Sequence, residues 1–294
     1  MRTGVTDGSE RAGKSAVVIV NYESGPALLR CVEDWRSDGV TEVVIVDNGS
    51  GDGSVDRVRA RYPDLEIVVP GRNLGYGAAA NRGVAATDTA TVLVCNPDLE
   101  VGPGALAALE RALVDHPAWA LAGPMIRTPT GDRYPSARRF PSLIDAGGHA
   151  LLGIFAPDNR FTRSYQHHEL DRVGEDPVEV DWVSGACLMV RRAAFEQVGG
   201  FDEAYFMYLE EVDLCWRLAQ AGWSAGYVPA AQVTHRQGVS TDHHPYRMIL
   251  EHHRSLLRFA ARSSPGWRRF LLPLVAVGIG LRACLACLAR LTER

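Results

Sequence analysis

Apolar residues in the first 120 positions fall in short unbroken runs separated by amphipathic stretches. Ala16-Val17-Val18-Ile19-Val20, Glu42 to Val46, Leu65 to Val69 and Thr91 to Cys95 are rich in β-branched residues. Continuous runs of this length mark parallel strands covered on both faces. Between them, Pro26 to Ser37 carries Leu28, Leu29, Val32 and Trp35 at helical spacing, and Ser54 to Arg61 is a charged helix. Asn73 to Ala86 opens as a Gly-rich turn and continues as an Ala-rich helix, and Gly104 to Asp115 is another helix. The alternation predicts an α/β chain with a parallel, doubly wound sheet flanked by helices.

After Trp119 the periodicity loosens. Thr128 to Asp181 is rich in Pro, Gly, Arg and His, the mark of a functional insertion or mobile loop. Order returns at Trp182 to Val190, with a short helix over Ala193–Val198, a helix over Phe206–Ala221, short strands at Ser224–Val228 and Gln232–His235, and helix from Pro245 onward. The predicted division is a disordered tail over 1–14, one domain over 15–240 with halves 15–118 and 119–240, and a helical segment over 241–294. Phe270 to Leu281 is twelve residues without a charge, preceded by Arg268 and Arg269 and followed by Arg282. A spanning helix needs about 20 apolar residues. The expectation is therefore a helix lying in the plane of a membrane interface, with a core or homodimer helix and a true span as the competing uses.

Composition narrows the class. With 46% hydrophobic and 22% charged residues the chain can bury a core, and a net charge of −4 argues against a nucleic-acid partner. The six cysteines sit mostly in apolar runs and read as reduced, which suggests a cytoplasmic protein. The Gly-, Ser- and charge-rich start has no apolar core of a signal peptide. The paired histidines (His167-His168, His243-His244, His252-His253) lie in polar surroundings and read as surface.

The chemistry concentrates at strand ends, where ligands bind in open α/β sheets. Asn96-Pro97-Asp98 follows the fourth strand, and His235 ends a later one. Asp98 either caps a turn or holds a hard divalent cation, with His235 as its partner; Mn²⁺ accepts such oxygen–nitrogen ligation more readily than Mg²⁺. Asp47 ends the second strand and can cap the Asn48–Gly53 turn or accept a hydrogen bond from a nucleoside. Asn73-Leu74-Gly75-Tyr76-Gly77 leads into a helix whose N-terminus suits anions. Gly75-x-Gly77-x-x-Ala80 also matches a dinucleotide fingerprint weakly, which would make the chain an NAD-dependent oxidoreductase. However, Pro70 to Leu74 separate it from its strand. Glu210, Glu211 and Asp213 crowd one helical turn, where they favour the helix dipole or supply one general base. Asp213 has an ion-pair partner in Arg217 four residues on.

Val20-Asn21-Tyr22, Val46-Asp47-Asn48-Gly49-Ser50, Asn73-x-Gly75-x-Gly77-x-x-x-Asn81, Asn96-Pro97-Asp98, Trp182-Val183-Ser184-Gly185-Ala186 and Phe206 to Leu214 occur in this order. In this the chain resembles the inverting glycosyltransferases of family 2, with the GT-A fold, and within them the bacterial rhamnosyltransferase branch. The resemblance implies a nucleotide-diphosphate sugar donor, dTDP-L-rhamnose, and Mg²⁺ or Mn²⁺. It implies a polyprenyl-diphospho-N-acetylglucosamine acceptor of cell-wall arabinogalactan linker synthesis, reached on the inner face of the plasma membrane. It implies that Val20, Asn21, Asp47 and Asn48 bind the nucleotide, and that Asn73, Gly75, Gly77, Asn81 and Asn96 shape the donor pocket. Trp182 and Gly185 would wall the sugar, and Asp98 and His235 would hold the metal. The basic pair Arg138-Arg139 lies either in a solvated loop or against the acceptor diphosphate, for which guanidinium groups are suited. The chain departs from the family at Glu211, where an Asp is usual as the base. Glu211 remains the expected base, with Asp213 second, and the departure leaves an inert membrane-associated scaffold as a further reading.

Overall fold

The computed structural model describes residues 15–140, 174, 176–236, 245–264 and 266–292. The predicted disordered tail and most of the predicted insertion lie outside these residues. The strands are β1 (Ala16–Asn21), β2 (Glu42–Asp47), β3 (Glu66–Val68), β4 (Thr91–Cys95), β5 (Leu99–Val101), β6 (Trp119–Arg127), β7 (Arg133–Tyr134), β8 (Ala137–Arg138), β9 (Val178–Val180), β10 (Trp182–Val183), β11 (Cys187–Arg191) and β12 (Ser224–His235). The helices are α1 (Ala27–Ser37), α2 (Ser54–Arg61), α3 (Tyr76–Ala85), α4 (Ala105–Asp115), α5 (Arg192–Gln197), α6 (Glu210–Gln220), α7 (Pro245–Ser263) and α8 (Leu272–Thr292).

The main sheet runs β3-β2-β1-β4-β11-β6-β12-β5, and β8 pairs with β10 beside it. Its first half is parallel, as the apolar runs predicted. Its second half is mixed: β11 is antiparallel to both β4 and β6, β12 is parallel to β6, and β5 is antiparallel to β12. Successive strand residues point to opposite faces. Thus Val18, Val20, Val44 and Val46 join one core, while Val17, Ile19, Val43 and Ile45 join the other. Both faces are covered, which is why these strands read as unbroken apolar runs.

The loosening after Trp119 conceals a nine-residue central strand. Gly123 and Pro124 mask β6 in the sequence, but pairing with β11 and β12 on its two sides overrides that local signal. The two short strands expected at 224–235 are one strand with a register shift between Val228 and Gln232. That segment contains Pro229, which cannot donate to a ladder. The helix expected from Phe206 begins at Glu210, because Tyr208 and Leu209 are left-handed, with φ of 70° and 63°.

The C-terminal expectation needs correction on length. Arg282 does not stop the apolar run: the helix continues through it, and Arg269–Leu291 is long and apolar enough to cross a membrane by length and composition. Pro273 falls in the first turn of α8, where its missing N–H costs no helical bond. Leu274, Val277, Leu281, Leu285 and Leu288 are exposed.

Close packing of α3 on the sheet rests on Gly83. A Cβ there would lie 2.2 Å from Val18 Cγ1 and 2.9 Å from Val46 Cγ2. Gly83→Ala is expected to destabilise the protein by about 1–3 kcal/mol through overpacking, despite the better helix propensity of Ala. Chemical denaturation checks this: an unchanged midpoint would mean that α3 shifts freely over β1 and β2.

Candidate active site

Strand pairing brings Asp98 and His235 together. β5, which the sequence reading missed, follows Asp98 directly and pairs antiparallel with the end of β12, His235 opposite Leu99. The Arg236 N–H donates to the Asp98 carbonyl at 3.2 Å, and the Arg236 Nε–Glu100 Oε1 contact of 2.7 Å holds the ends of both strands. His235 Nε2 lies 3.1 Å from Asp98 Oδ1, and the Asn96 amide nitrogen sits 3.2 Å from the same ring nitrogen. Asp98 is buried, and His235 is close to it in accessibility. Among the described residues no third His, Cys, Asp or Glu completes a metal cluster.

At the ends of β1 and β2, Asp47 Oδ1 accepts from Asn21 Nδ2 at 2.9 Å and from Ser50 Oγ at 2.6 Å. Asn21 also donates to Ser54 Oγ at 3.0 Å. Asn48 bridges to the glycine turn: its amide donates to the Gly75 carbonyl and its oxygen accepts from the Leu74 N–H, both at 3.1 Å. Asn73 Oδ1 accepts from Gly75 N–H at 2.9 Å. Asn48 and Asn73 therefore shape the turn through contacts within the chain.

Gly75 has φ of 88°, and a Cβ on it would lie 2.2 Å from the Phe206 carbonyl oxygen. The Tyr76 N–H donates to that same carbonyl at 3.0 Å. Gly77 faces Phe201 and Glu210, and a Cβ on it would lie 2.9 Å from Phe201 Cβ. Asn81 brackets the Phe201 backbone with both amide atoms, each at 2.9 Å. These residues bind the glycine turn to the loop that precedes α6.

Several predicted positions meet around Gly185. The Tyr76 hydroxyl donates to the Gly185 carbonyl. The Asn96 N–H donates to the neighbouring Ala186 carbonyl at 2.9 Å, and a Cβ on Gly185 would lie 3.4 Å from Glu211 Cβ. Glu211 lies across this glycine in the first turn of α6. Burial pushes its carboxyl above the ordinary range, against the Gly185 N–H and the Arg138 charge, which pull it down. Glu210, fully enclosed, is pushed well above that range by burial and by the Glu211 charge, and its Oε2 has no hydrogen-bond partner. The Arg138 guanidinium lies 5.3 Å from the centre of the Trp182 ring. Trp182 Nε1 donates to the Arg139 carbonyl at 2.9 Å, while the Arg139 side chain is exposed. Arg138 thus stands beside the base candidate as well as the aromatic wall.

Asp213 has other commitments. It is fully buried, with Oδ2 2.7 Å from Arg217 Nε, Oδ1 3.2 Å from Arg262 Nη1, and the Tyr205 hydroxyl 3.2 Å from Oδ1.

Residues 16–199 match the family model Glycosyl transferase family 2. This chain belongs to glycosyltransferase family 2. Its residues 157–292 also match the family model Glycosyl transferase family group 2. It is 44% identical over 266 residues to the N-acetylglucosaminyl-diphospho-decaprenol L-rhamnosyltransferase of Mycobacterium tuberculosis, covering 86% of each chain. It is 27% identical over 260 residues to the rhamnosyltransferase WbbL of Escherichia coli, covering 84% of this chain and 92% of that one. Among solved structures, a mannosyltransferase from Pyrobaculum calidifontis in complex with GDP-Man and Mn²⁺ superposes with a TM-score of 0.57 at 17% identity, over 96% of this chain and 76% of that one. GalNAc-T7 with UDP, GalNAc and Mn²⁺ superposes with a TM-score of 0.56 at 15% identity, over 76% of this chain and 43% of that one. The fold is GT-A, and the protein is a glycosyltransferase. The oxidoreductase and scaffold readings are not favoured.

The sequence reading did not single out Ser50, Ser54, Tyr76 or Arg262. Ser50 and Ser54 carry a readable signal, since both lie within or just after the polar turn that follows Asp47. Tyr76 and Arg262 carry none, because their contacts are with residues far along the chain. Of the paired histidines that read as surface, His253 is buried, with Nδ1 2.7 Å from the Ile249 carbonyl.

Proposed function

We propose that the protein transfers L-rhamnose from dTDP-L-rhamnose to polyprenyl-diphospho-N-acetylglucosamine, with inversion, in assembly of the cell-wall arabinogalactan linker. The observation that carries this reading is 44% identity across 86% of the chain to a transferase named for that sugar and that class of acceptor. The order and placement of the strand-end residues are compatible with it.

Asp98 and His235 offer an oxygen–nitrogen donor pair that fits, and would hold, a divalent cation. Mg²⁺ or Mn²⁺ held there would supply positive charge to the leaving diphosphate. Asp47, with Val20, Asn21 and Asn48 around it, receives the nucleoside. The Asn73–Gly77 turn, Asn81 and Asn96 shape the pocket beyond it. Trp182 and Gly185 wall the sugar, and Arg138 with Arg139 faces the acceptor diphosphate, for which guanidinium groups suit bidentate contact. Glu211 takes the proton of the acceptor hydroxyl as its oxygen attacks the anomeric carbon. The bond from that carbon to the diphosphate breaks, its electron pair leaves with the nucleotide, and the configuration inverts. Asp213 anchors α6 through its arginines and leaves the proton transfer to Glu211.

A thermal-shift series tests the donor assignment, because a ligand that binds the native state raises its stability with concentration. dTDP-L-rhamnose with Mn²⁺ or Mg²⁺ is expected to raise the melting temperature more than either component alone, and NAD(H) to leave it unchanged. A shift with NAD(H) and none with any nucleotide sugar would reject the assignment.

The exposed leucines of α8 and Val277 suit the cytoplasmic membrane surface, where the acceptor resides. An in-plane helix lets Arg282 reach the headgroups, whereas a spanning one would carry it inside the bilayer, at a cost of about 2.5–3.5 kcal/mol at the centre. Removal of the residues after 265 is expected to release the protein from anionic liposomes. High salt at alkaline pH is expected to extract the full chain from membranes. Retention of the truncated protein would favour a core or homodimer role, and resistance to extraction would favour a span.

A further inference from the structure

Helix α7 grips the segment that sets up the base. The Arg262 guanidinium joins two acids, 2.8 Å from Asp202 Oδ2 and 3.2 Å from the buried Asp213 Oδ1. Two turns earlier, the Ser255 hydroxyl donates to the Met207 carbonyl at 2.9 Å. Arg247 lies over the Phe206 ring at 4.4 Å, and His252 meets the Tyr208 ring edge-on at 5.3 Å. Four side chains of one helix thus hold Phe206, Met207, Tyr208 and Asp213. The segment they hold is consecutively left-handed at Tyr208 and Leu209, a conformation non-glycine residues keep only where surroundings enforce it. Its two ends matter. The Phe206 carbonyl accepts the Tyr76 N–H at the glycine turn, and the Leu209 carbonyl accepts the Asp213 N–H to open α6, where Glu211 stands.

We propose that Arg262 and Ser255 are positioning residues: through Asp213 and Met207 they fix the first turn of α6, and so the reach of Glu211, together with the Gly75 turn. The inference rests on the assignment of Glu211 as base. The helix packed beside the apolar α8 is thus also the one that holds this turn. A structural staple alone would predict lost stability; positioning predicts lost turnover in a folded protein, because a misplacement on the scale of 1 Å can cost about 10²-fold in rate.

The experiment uses the full chain with Arg262→Met, Arg262→Lys, Ser255→Ala and, as a control, Arg254→Ala. Arg254 pairs with Glu251 on its own helix. Turnover of dTDP-L-rhamnose, donor KM, melting temperature and backbone hydrogen exchange over residues 206–214 are read for each. Arg262→Met is expected to lower kcat by about tenfold or more with donor KM within about twofold, to be partly rescued by Lys, and to speed exchange over 206–214. Ser255→Ala is expected to change both quantities in the same direction but less, and Arg254→Ala neither. Unchanged kcat and exchange in folded Arg262→Met and Ser255→Ala overturn the proposal, whatever the melting temperatures. If Arg262→Met does not fold, Ser255→Ala decides by the same two readings. Wild-type turnover in Glu211→Gln would remove the base assignment alone; the positioning of the turn would then stand or fall on the exchange result.

Discussion

Glu211→Gln is expected to lower kcat by about 10²-fold or more, the usual scale for a lost general base, while donor affinity stays close to that of the wild type. Gln keeps the shape that packs across Gly185 but cannot accept a proton. Glu211 stands where burial raises its carboxyl, opposed by the Gly185 N–H and Arg138. A base must be deprotonated to act. Wild-type kcat/KM should therefore rise with pH through a limb above the ordinary carboxylate range, and this limb should vanish in Glu211→Gln. Asp213→Asn should lower stability and, by loosening the first turn of α6, reduce kcat by less than Glu211→Gln does, since that carboxylate is buried between Arg217, Arg262 and Tyr205. If a well-folded Asp213→Asn loses turnover while Glu211→Gln keeps it, the base is Asp213.

Asp98→Ala is expected to abolish metal-dependent binding of the donor and to reduce turnover to the level seen in chelator. The fold should survive, because the β5–β12 ladder is made by backbone groups. The side chain itself contacts His235, so its loss removes the carboxylate of the proposed donor pair. Calorimetric titration of dTDP-L-rhamnose with and without Mn²⁺ reads the effect directly. Donor affinity in Asp98→Ala that still responds to Mn²⁺ as in the wild type would place the cation elsewhere.

The chain exposes its strand ends plainly and its pairings poorly. Asp47 and Asp98 follow apolar runs and His235 ends a short strand segment, and those local facts mark them as candidates. What joins Asp98 to His235 is β5, three residues long, whose partner lies more than 100 positions away. No local pattern encodes such a contact. The central strand β6 is hidden by Gly123 and Pro124, residues acceptable there because neighbouring strands impose the conformation. The left-handed pair Tyr208–Leu209 reads as helix, since nothing in either side chain favours positive φ. It is α7, distant in sequence, that holds it. Arg282 marks the end of an apolar segment when charge is weighed by position in the run; the helix simply carries it. The ion pair of Asp213 with Arg217, by contrast, is legible from a spacing of four, a neighbour relation internal to one helix.

The most direct test is product formation by the purified full chain with dTDP-L-rhamnose, a polyprenyl-diphospho-N-acetylglucosamine acceptor in detergent or liposomes, and Mn²⁺ or Mg²⁺. Mass spectrometry of the lipid is expected to show addition of one deoxyhexose, with inverted anomeric configuration by NMR, dependent on the cation and lost in Glu211→Gln. An acceptor left unmodified under conditions in which another nucleotide sugar is consumed, or a product with retained configuration, would contradict the account.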